Sequence, residues 1–234
     1  MDITGSVALV TGANRGLGRA FAEQLLERGA ATVYATSRRP ELIDVPGVEV
    51  LRLDVTDPES VAAAAAAAGD VTLVVNNAGI STGTNLVTGD LAEVRREMDT
   101  HFFGTLGVVR AFAPVLARNG GGGIVTVLSA LSWFSYDGAN AYAAAKAAAW
   151  SLTNGVRFEL IGQGTQLTGI VLGAADTDMM AGHTGPMSAP ADVVRAALDG
   201  VQAGDWEVLV DDWSRHVKAS LAADPREFYR QPAA

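Results

Sequence analysis

Along the 234-residue chain, short runs of consecutive apolar residues alternate with stretches in which apolar positions recur every three or four residues. The runs "SVALVTG", "ATVYATS", "VEVLRLD", "VTLVVNN", "GIVTVLS", "LTGIVLG" and "WEVLVDD" are rich in Val, Leu and Ile and lack the alternation of a strand with one wet face. They predict seven strands buried on both sides, which requires helices on both faces of the sheet. Helices are expected between them, at Gly16 to Arg28, Pro58 to Ala68, Leu91 to Arg118, Ala139 to Leu160 and Ala191 to Ala203, with Asp57 and Asp192 placed to help two of the starts. Strand and helix in strict alternation predict an α/β fold: a doubly wound, parallel, seven-stranded sheet with right-handed crossovers. No repeat or linker divides the chain, so one domain over residues 1–234 is expected.

Two segments stand outside this rhythm. The alanine run from Ala62 to Ala68 reads as a bland helix face, and "NGGGG" from Asn119 to Gly123 as a flexible loop before the fifth strand. Composition narrows the partners. Lys plus Arg number 17 against 26 Asp plus Glu, and the resulting charge of −9 disfavours nucleic acid and anionic membrane. The absence of cysteine excludes a disulfide framework and a thiolate metal site, and no metal is expected. The first residues carry no basic segment followed by a long apolar run, and 18 uncharged apolar residues never occur in a row. A soluble, cytoplasmic protein acting on a small molecule is the expectation.

Directly after the first strand comes "TGANRGLG", with Gly12, Gly16 and Gly18 opening a helix. Glycines at such a turn let the backbone approach a pyrophosphate, and the helix N-terminus offers unpaired N–H groups and positive dipole to the anion. In folds of this Rossmann type, an acidic residue about 20 positions downstream takes the ribose 2′-hydroxyl of NAD, whereas arginine accommodates the 2′-phosphate of NADP. Here that place reads "TSRRP", with Ser37 and Arg38, and the next carboxylate is Glu41. Arg38, together with Arg15 inside the turn, points to NADP(H), with NAD(H) as the lesser possibility.

In "NAYAAAKAAAW" a tyrosine and a lysine stand four residues apart among alanines. Alanine is the strongest helix former, so Tyr142 and Lys146 are expected on one helix face, directed at a common point. A ketone accepting hydride develops negative charge on oxygen and needs an acid there. A phenol has a reference pKa of about 10, and a neighbouring ammonium is expected to lower it.

Taken together, these residues resemble the short-chain dehydrogenase/reductase family over nearly the whole chain. "TGANRGLG" is similar to its glycine motif, "LDVTD" with Asp54 and Val55 to its adenine-contacting segment, and "NNAG" from Asn76 to Gly79 to its fourth-strand signature. "YAAAK" matches its Tyr-x-x-x-Lys, and Ser129 precedes Tyr142 by the family's usual 13 residues. The resemblance implies Tyr142 as general acid/base, Lys146 as its tuner and holder of the nicotinamide ribose, and Ser129 as the hydrogen-bonding partner of the carbonyl. It implies cofactor contacts from Gly12, Asn14, Arg15, Gly16, Leu17, Gly18, Ser37, Arg38, Asp54, Val55, Asn77, Ala78, Gly79, Tyr142, Lys146 and Thr177. After the sixth strand Gly173 and Thr177 match the family pattern, but Leu172 stands where a proline is usual. A homodimer or homotetramer is implied, with the long fourth and fifth helical segments as interface.

The departure from the family lies at His101 in "MDTHFFGT", where an asparagine normally helps hold a water linking the active-site lysine to solvent. Two readings stand: an imidazole performing the same proton relay, or a core histidine satisfied by a backbone carbonyl. On the substrate side, Trp133, Phe134 and Tyr136 cluster in the loop entering the Tyr142 helix. Met179, Met180 and Met187 are expected to form an adaptable apolar lid, hinged by Gly182 and Gly185. The leading expectation is an NADPH-dependent carbonyl reductase, equally an alcohol dehydrogenase in reverse, acting on a bulky apolar or aromatic ketone. The alternative is an NADP(H)-binding regulatory or sensing protein with little turnover, against which the intact Tyr142/Lys146 pair argues. A halohydrin dehalogenase would lack the glycine turn and carry Arg for Lys146. An epimerase would need a longer substrate region than the 62 residues after Leu172.

Overall fold

A computed structural model describes residues 1–229. Its seven strands are β1 (Val7–Thr11), β2 (Thr32–Ser37), β3 (Glu49–Arg52), β4 (Leu73–Asn76), β5 (Gly122–Val127), β6 (Thr165–Val171) and β7 (Glu207–Leu209). They form one sheet in the order β3-β2-β1-β4-β5-β6-β7, every pairing parallel. Leu9 lies opposite Tyr34 on one side and Val74 on the other, which sets the central register. Strand order reverses between β1 and β4, so a crevice opens there beyond the carboxyl ends of the strands, where this architecture receives ligands.

The alternation along β1 shows why the strands are apolar throughout. Ala8 and Val10 point into one core layer, with Phe21 and Leu25 of α1 (Gly16–Glu27) and Val193, Val194 and Leu198 of α6 (Pro190–Ala203). Leu9 points into the opposite layer, with Val108, Phe112 and Leu116 of α4 (Thr105–Arg118) and Val156 and Leu160 of α5 (Asn140–Leu160). Both faces of the central strands are dry, as unbroken apolar runs require, but the expectation fails at the edges. In β3 Glu49, Val50 and Arg52 are exposed, and β7 is only half-buried, because an edge strand has no neighbour on one side and fewer helices over it. The predicted α2 appears as Pro58–Ala67, capped by the Asp57 carboxylate accepting the Glu59 N–H at 3.0 Å. Asp192 does not cap α6; it sits in the first turn and pairs with Arg195 at 2.6 Å, while the backbone enters through Ala189.

Three expectations change. The helix expected from Leu91 to Arg118 is α3 (Leu91–Met98) and α4 joined by a π-helical turn, Asp99–Gly104, which contains His101. Its length and apolar content would suit a membrane span, but Val108, Val109, Phe112, Val115 and Leu116 are buried against the sheet. The glycine run is not a slack loop: a Cβ on Gly122 would lie 2.1 Å from the Thr72 carbonyl, so only glycine lets β5 start beside the chain entering β4. Past β7, α7 (Asp212–Ser220) begins in a capping box between Asp211 and Ser214, and α8 (Pro225–Tyr229) follows. Neither was anticipated.

Candidate active site

The glycine turn is built for close approach. Gly12 and Gly16 adopt left-handed backbone angles, φ +68° and +54°, that other residues rarely hold. The N-terminus of α1 has no side-chain cap and no acidic residue in its first turn, leaving its amides free to receive an anion at the cleft. Thr11 and Asn77 lock this turn to the end of β4. The Thr11 hydroxyl accepts from the amides of Asn77 and Ala78 at 2.9 and 3.0 Å, and Asn77 Nδ2 donates to the carbonyls of Thr11 and Gly12 at 2.9 and 3.3 Å.

Around the cleft the structure gathers Gly12, Asn14, Arg15, Gly16, Leu17, Ser37, Arg38, Asp54, Val55, Asn77, Ala78, Gly79, Tyr142, Lys146 and Thr177, together with Ser129 and His101. Of the cofactor and catalytic positions named from the sequence, Gly18 alone lies behind the wall, packed against the Gly12 carbonyl. Arg38 is exposed at the end of β2, and its guanidinium has no ion-pair partner among the described residues. Arg15 reaches across to Asp178 at 3.1 Å, tying the turn to the loop after β6, where the Thr177 methyl rests over Gly16. Asp54 holds the turn after β3 through Thr56, whose amide and hydroxyl both donate to Oδ1. This cradle of uncapped amides, left-handed glycines and a free guanidinium fits a phosphorylated dinucleotide.

Ser129 ends the segment after β5 and caps the short turn Ala130–Ser132 by accepting the Leu131 N–H at 3.2 Å. Tyr142 and Lys146 rise from the first turns of α5 on one face, as their spacing predicts. Lys146 is buried, donates to the Val127 carbonyl at 2.8 Å, and sits 5.5 Å from the centre of the Tyr142 ring. Burial lowers its ammonium to about 8, with the Glu97 carboxylate opposing. The Tyr142 phenol moves up, pushed by burial and by the Glu97 charge against the Ser129 hydroxyl. That reverses the expected lowering by lysine: Lys146 is directed at a carbonyl, while the carboxylate is close enough to disfavour phenolate. A phenol held protonated is poised to give up a proton to a developing alkoxide.

Sequence reasoning missed Glu97. Its side chain is completely buried at the end of α3, with the Thr82 amide donating to Oε1 at 2.7 Å and His101 Nε2 3.2 Å from Oε2. The spacing of Glu97 and His101, four apart on a helix, was available as a signal, but "RREM" reads as a solvated stretch. His101 has the backbone-carbonyl contact of the second reading, Nε2 lying 2.9 Å from the Ile80 carbonyl, and its ring also lines the cleft, edge-on to Tyr142 at 5.2 Å.

The substrate side is corrected in part. Trp133 packs on Trp150 and the Leu128–Ala149–Val171 cluster, and Phe134 joins Trp213 and Phe228, so neither lines the cleft. Tyr136 is exposed and close enough to bias Tyr142. Met179 and Met180 line the cleft, whereas Met187 does not.

The short chain dehydrogenase family model matches residues 6–186. The chain belongs to that family. It is thus an oxidoreductase of the short-chain dehydrogenase type, and the whole sheet follows the family fold. A short chain dehydrogenase from Burkholderia cenocepacia J2315, solved in complex with NADP, superposes with a TM-score of 0.94 at 38% identity, covering 99% of this chain and 100% of that one. The 1-deoxy-11-beta-hydroxypentalenate dehydrogenase of Streptomyces exfoliatus is 32% identical over 91% of this chain and 82% of its own. The NADPH-dependent 1-acyldihydroxyacetone phosphate reductase of Schizosaccharomyces pombe is 33% identical over 77% of this chain, and the match spans only 63% of that protein's length.

Proposed function

We propose that this short-chain oxidoreductase is an NADPH-dependent ketone reductase, equally a secondary-alcohol dehydrogenase in reverse, whose substrate is bulky and apolar or aromatic. The observation that carries this reading is the convergence of Ser129, Tyr142 and Lys146 on the cleft that begins at the uncapped N-terminus of α1. The glycine turn and the α1 amides would hold the pyrophosphate, Asp54 and Val55 the adenine, Arg38 the 2′-phosphate, and Lys146 and Thr177 the nicotinamide end. When bound, NADPH supplies the hydride.

The chain's own residues do the rest. Ser129 offers its hydroxyl to the substrate carbonyl and holds it beside Tyr142. Tyr142, kept protonated by burial, gives its proton to the oxygen as negative charge develops there. Lys146 places a positive charge next to the phenolate that results, and its lowered pKa lets it exchange a proton near neutrality. Met179 and Met180 give the substrate end of the cleft an apolar, adaptable wall, which supports a bulky apolar ketone over a charged keto acid. The absence of a carboxylate after β2 supports NADPH over NADH.

Exposed Phe103 in the π-helical turn before α4, Phe158 near the end of α5 and Ile161 just after it support assembly as a homodimer or homotetramer through that face. A cysteine-free chain suits the cytoplasm. The test is loss of reduced-nicotinamide absorbance with aryl and alicyclic ketones, NADPH against NADH, with Tyr142→Phe as the blank. Turnover should fall about 100- to 10,000-fold in the variant while NADPH affinity stays within about threefold. Equal turnover in Tyr142→Phe, or faster reduction of small keto acids than of aryl ketones, would overturn the assignment.

A further inference from the structure

Glu97 is a completely buried carboxylate that the proposed chemistry leaves unused. An ionised carboxylate out of water costs several kcal/mol, by general estimates about that much even after relaxation, unless partners surround it. Here only one oxygen is well served. Thr82 N–H donates to Oε1 at 2.7 Å, whereas Oε2 has no satisfied hydrogen bond among the described residues and faces His101 Nε2 at 3.2 Å.

His101 is held on three sides. Its Nε2 lies 2.9 Å from the Ile80 carbonyl and 3.2 Å from Glu97 Oε2, while the Ile80 N–H is directed at the same nitrogen as a donor from 3.4 Å, the longest of the three contacts. Its Cε1 edge presses on Gly79, where an added Cβ would come within 2.8 Å, and its ring meets Tyr142 edge-on. A hydrogen on Nε2 serves the two shorter oxygen contacts, whereas a lone pair there would accept only the 3.4 Å Ile80 N–H and face both oxygens, so the balance of contacts favours the Nε2–H tautomer with the lone pair on Nδ1. Nδ1 has no hydrogen-bond partner among the described residues, and the ring lines the cleft that also holds Tyr142 and Lys146. His101 sits in the π-helical turn, four residues beyond Glu97, with its ring against Gly79 and Ile80 after β4.

The geometry points to Glu97 as a positioning residue for the reductase proposed above: it fixes His101 as the Nε2–H tautomer, so that Nδ1 serves the cleft as the proton store that recharges Tyr142. The proton balance is simple. Each ketone reduced removes one proton from the Tyr142 hydroxyl; the Nδ1–H of the imidazolium returns one to the phenolate through solvent in the cleft, and the neutral imidazole recovers it from bulk water. No electrons move in this step, and one solvent proton is consumed per ketone. The Glu97 carboxylate balances the imidazolium while it exists. Burial and the Lys146 charge press His101 toward the neutral form, and Glu97 and the Ile80 backbone oppose them; Tyr142 is the other ionisable group facing the ring.

The test is the 15N tautomer signature of His101 in the cofactor-free protein, read among only three histidines and assigned by its loss in His101→Asn. The wild type should show Nε2–H, and wild-type Nδ1–H would overturn the proposal without any variant of Glu97. In Glu97→Gln the carboxamide NH2 can face Nε2, so the Nδ1–H form should appear and kcat should fall about 10- to 100-fold with both KM values within about threefold. A loss of kcat with the tautomer unchanged would make Glu97 merely structural and overturn the assignment, as would unchanged kcat. The double variant Glu97→Gln/His101→Asn should be no slower than His101→Asn alone; additive losses would show that Glu97 does not act through the ring. Failure of the reductase reading shows separately, as a wild type that binds NADPH but turns over no ketone whatever its tautomer.

Discussion

Gly18→Ala tests whether the cleft depends on contact between α1 and the turn that precedes it. An ideal Cβ at Gly18 would stand 2.1 Å from the Gly12 carbonyl oxygen, 2.7 Å from its carbon and 2.5 Å from Asn77 Nδ2. All three are far inside van der Waals contact, and the first two are backbone, so α1 must retreat from the sheet by about an ångström. Overpacking of this kind costs about 1–3 kcal/mol. The retreat also strains the two Asn77 Nδ2 hydrogen bonds that clamp the turn, worth about 1 kcal/mol each. Against this, alanine gains about 1 kcal/mol over glycine as a helix former. The net is a loss of about 3 kcal/mol, which for a domain of this size lowers Tm by about 6–12 °C.

Gly16→Ala is the graded comparison. Its φ of +54° costs an alanine about 1–2 kcal/mol, but its Cβ would meet only the Thr177 methyl at 3.1 Å, the end of a side chain that can turn. Thermal unfolding followed by far-ultraviolet circular dichroism, with NADPH binding followed by fluorescence, reads both variants. Gly18→Ala should be the less stable of the two and should bind NADPH at least about tenfold more weakly, because the displaced amides no longer converge on the pyrophosphate. A Gly18→Ala protein melting within about 2 °C of wild type and binding NADPH normally would refute the argument.

Two further outcomes follow from single side chains. Arg38→Ala should weaken NADPH binding about 10- to 100-fold, the value of one charge-assisted hydrogen-bonding group, and leave NADH binding unchanged; equal loss for both cofactors in a fluorescence titration would remove Arg38 from the 2′-phosphate. Lys146, lowered by burial from 10.5 to about 8, binds its proton less tightly folded than unfolded, so between those pH values the unfolded chain holds more protons and stability rises with pH. The raised Tyr142 phenol acts oppositely above its ordinary value of 10, which bounds the useful window at about pH 8 to 10. Urea unfolding should show a gain of about 2 kcal/mol across that window in wild type and none from this source in Lys146→Met; parallel curves would contradict the burial argument.

What the sequence made legible and what it hid divide along a physical line. Strand runs such as "VTLVVNN" and "LTGIVLG" declare themselves because burial on both faces leaves no polar position, and that property is local. The glycine turn and the Tyr142/Lys146 pair are equally local, each fixed by one turn or one helix face. Trp133 and Phe134 misled because an aromatic side chain is recruited by whatever apolar surface is nearest in space. Here that surface includes Trp150, far along α5, and Trp213 and Phe228 in helices with weak local signals of their own. Glu97 was hidden for the complementary reason. A carboxylate amid arginines reads as surface until the topology folds α3 against α5 and closes Thr82 over it, a non-local event that no spacing rule reports. The direction of the Tyr142 shift went with it: burial of the phenol raises it most and the Glu97 charge adds to that, and the motif shows the lysine but neither of these. Chemistry carried by one element is therefore readable from its spacing, whereas the sign of an electrostatic effect depends on every element that packs around it, and in this cleft those elements both bury the phenol and set the α3 carboxylate against it.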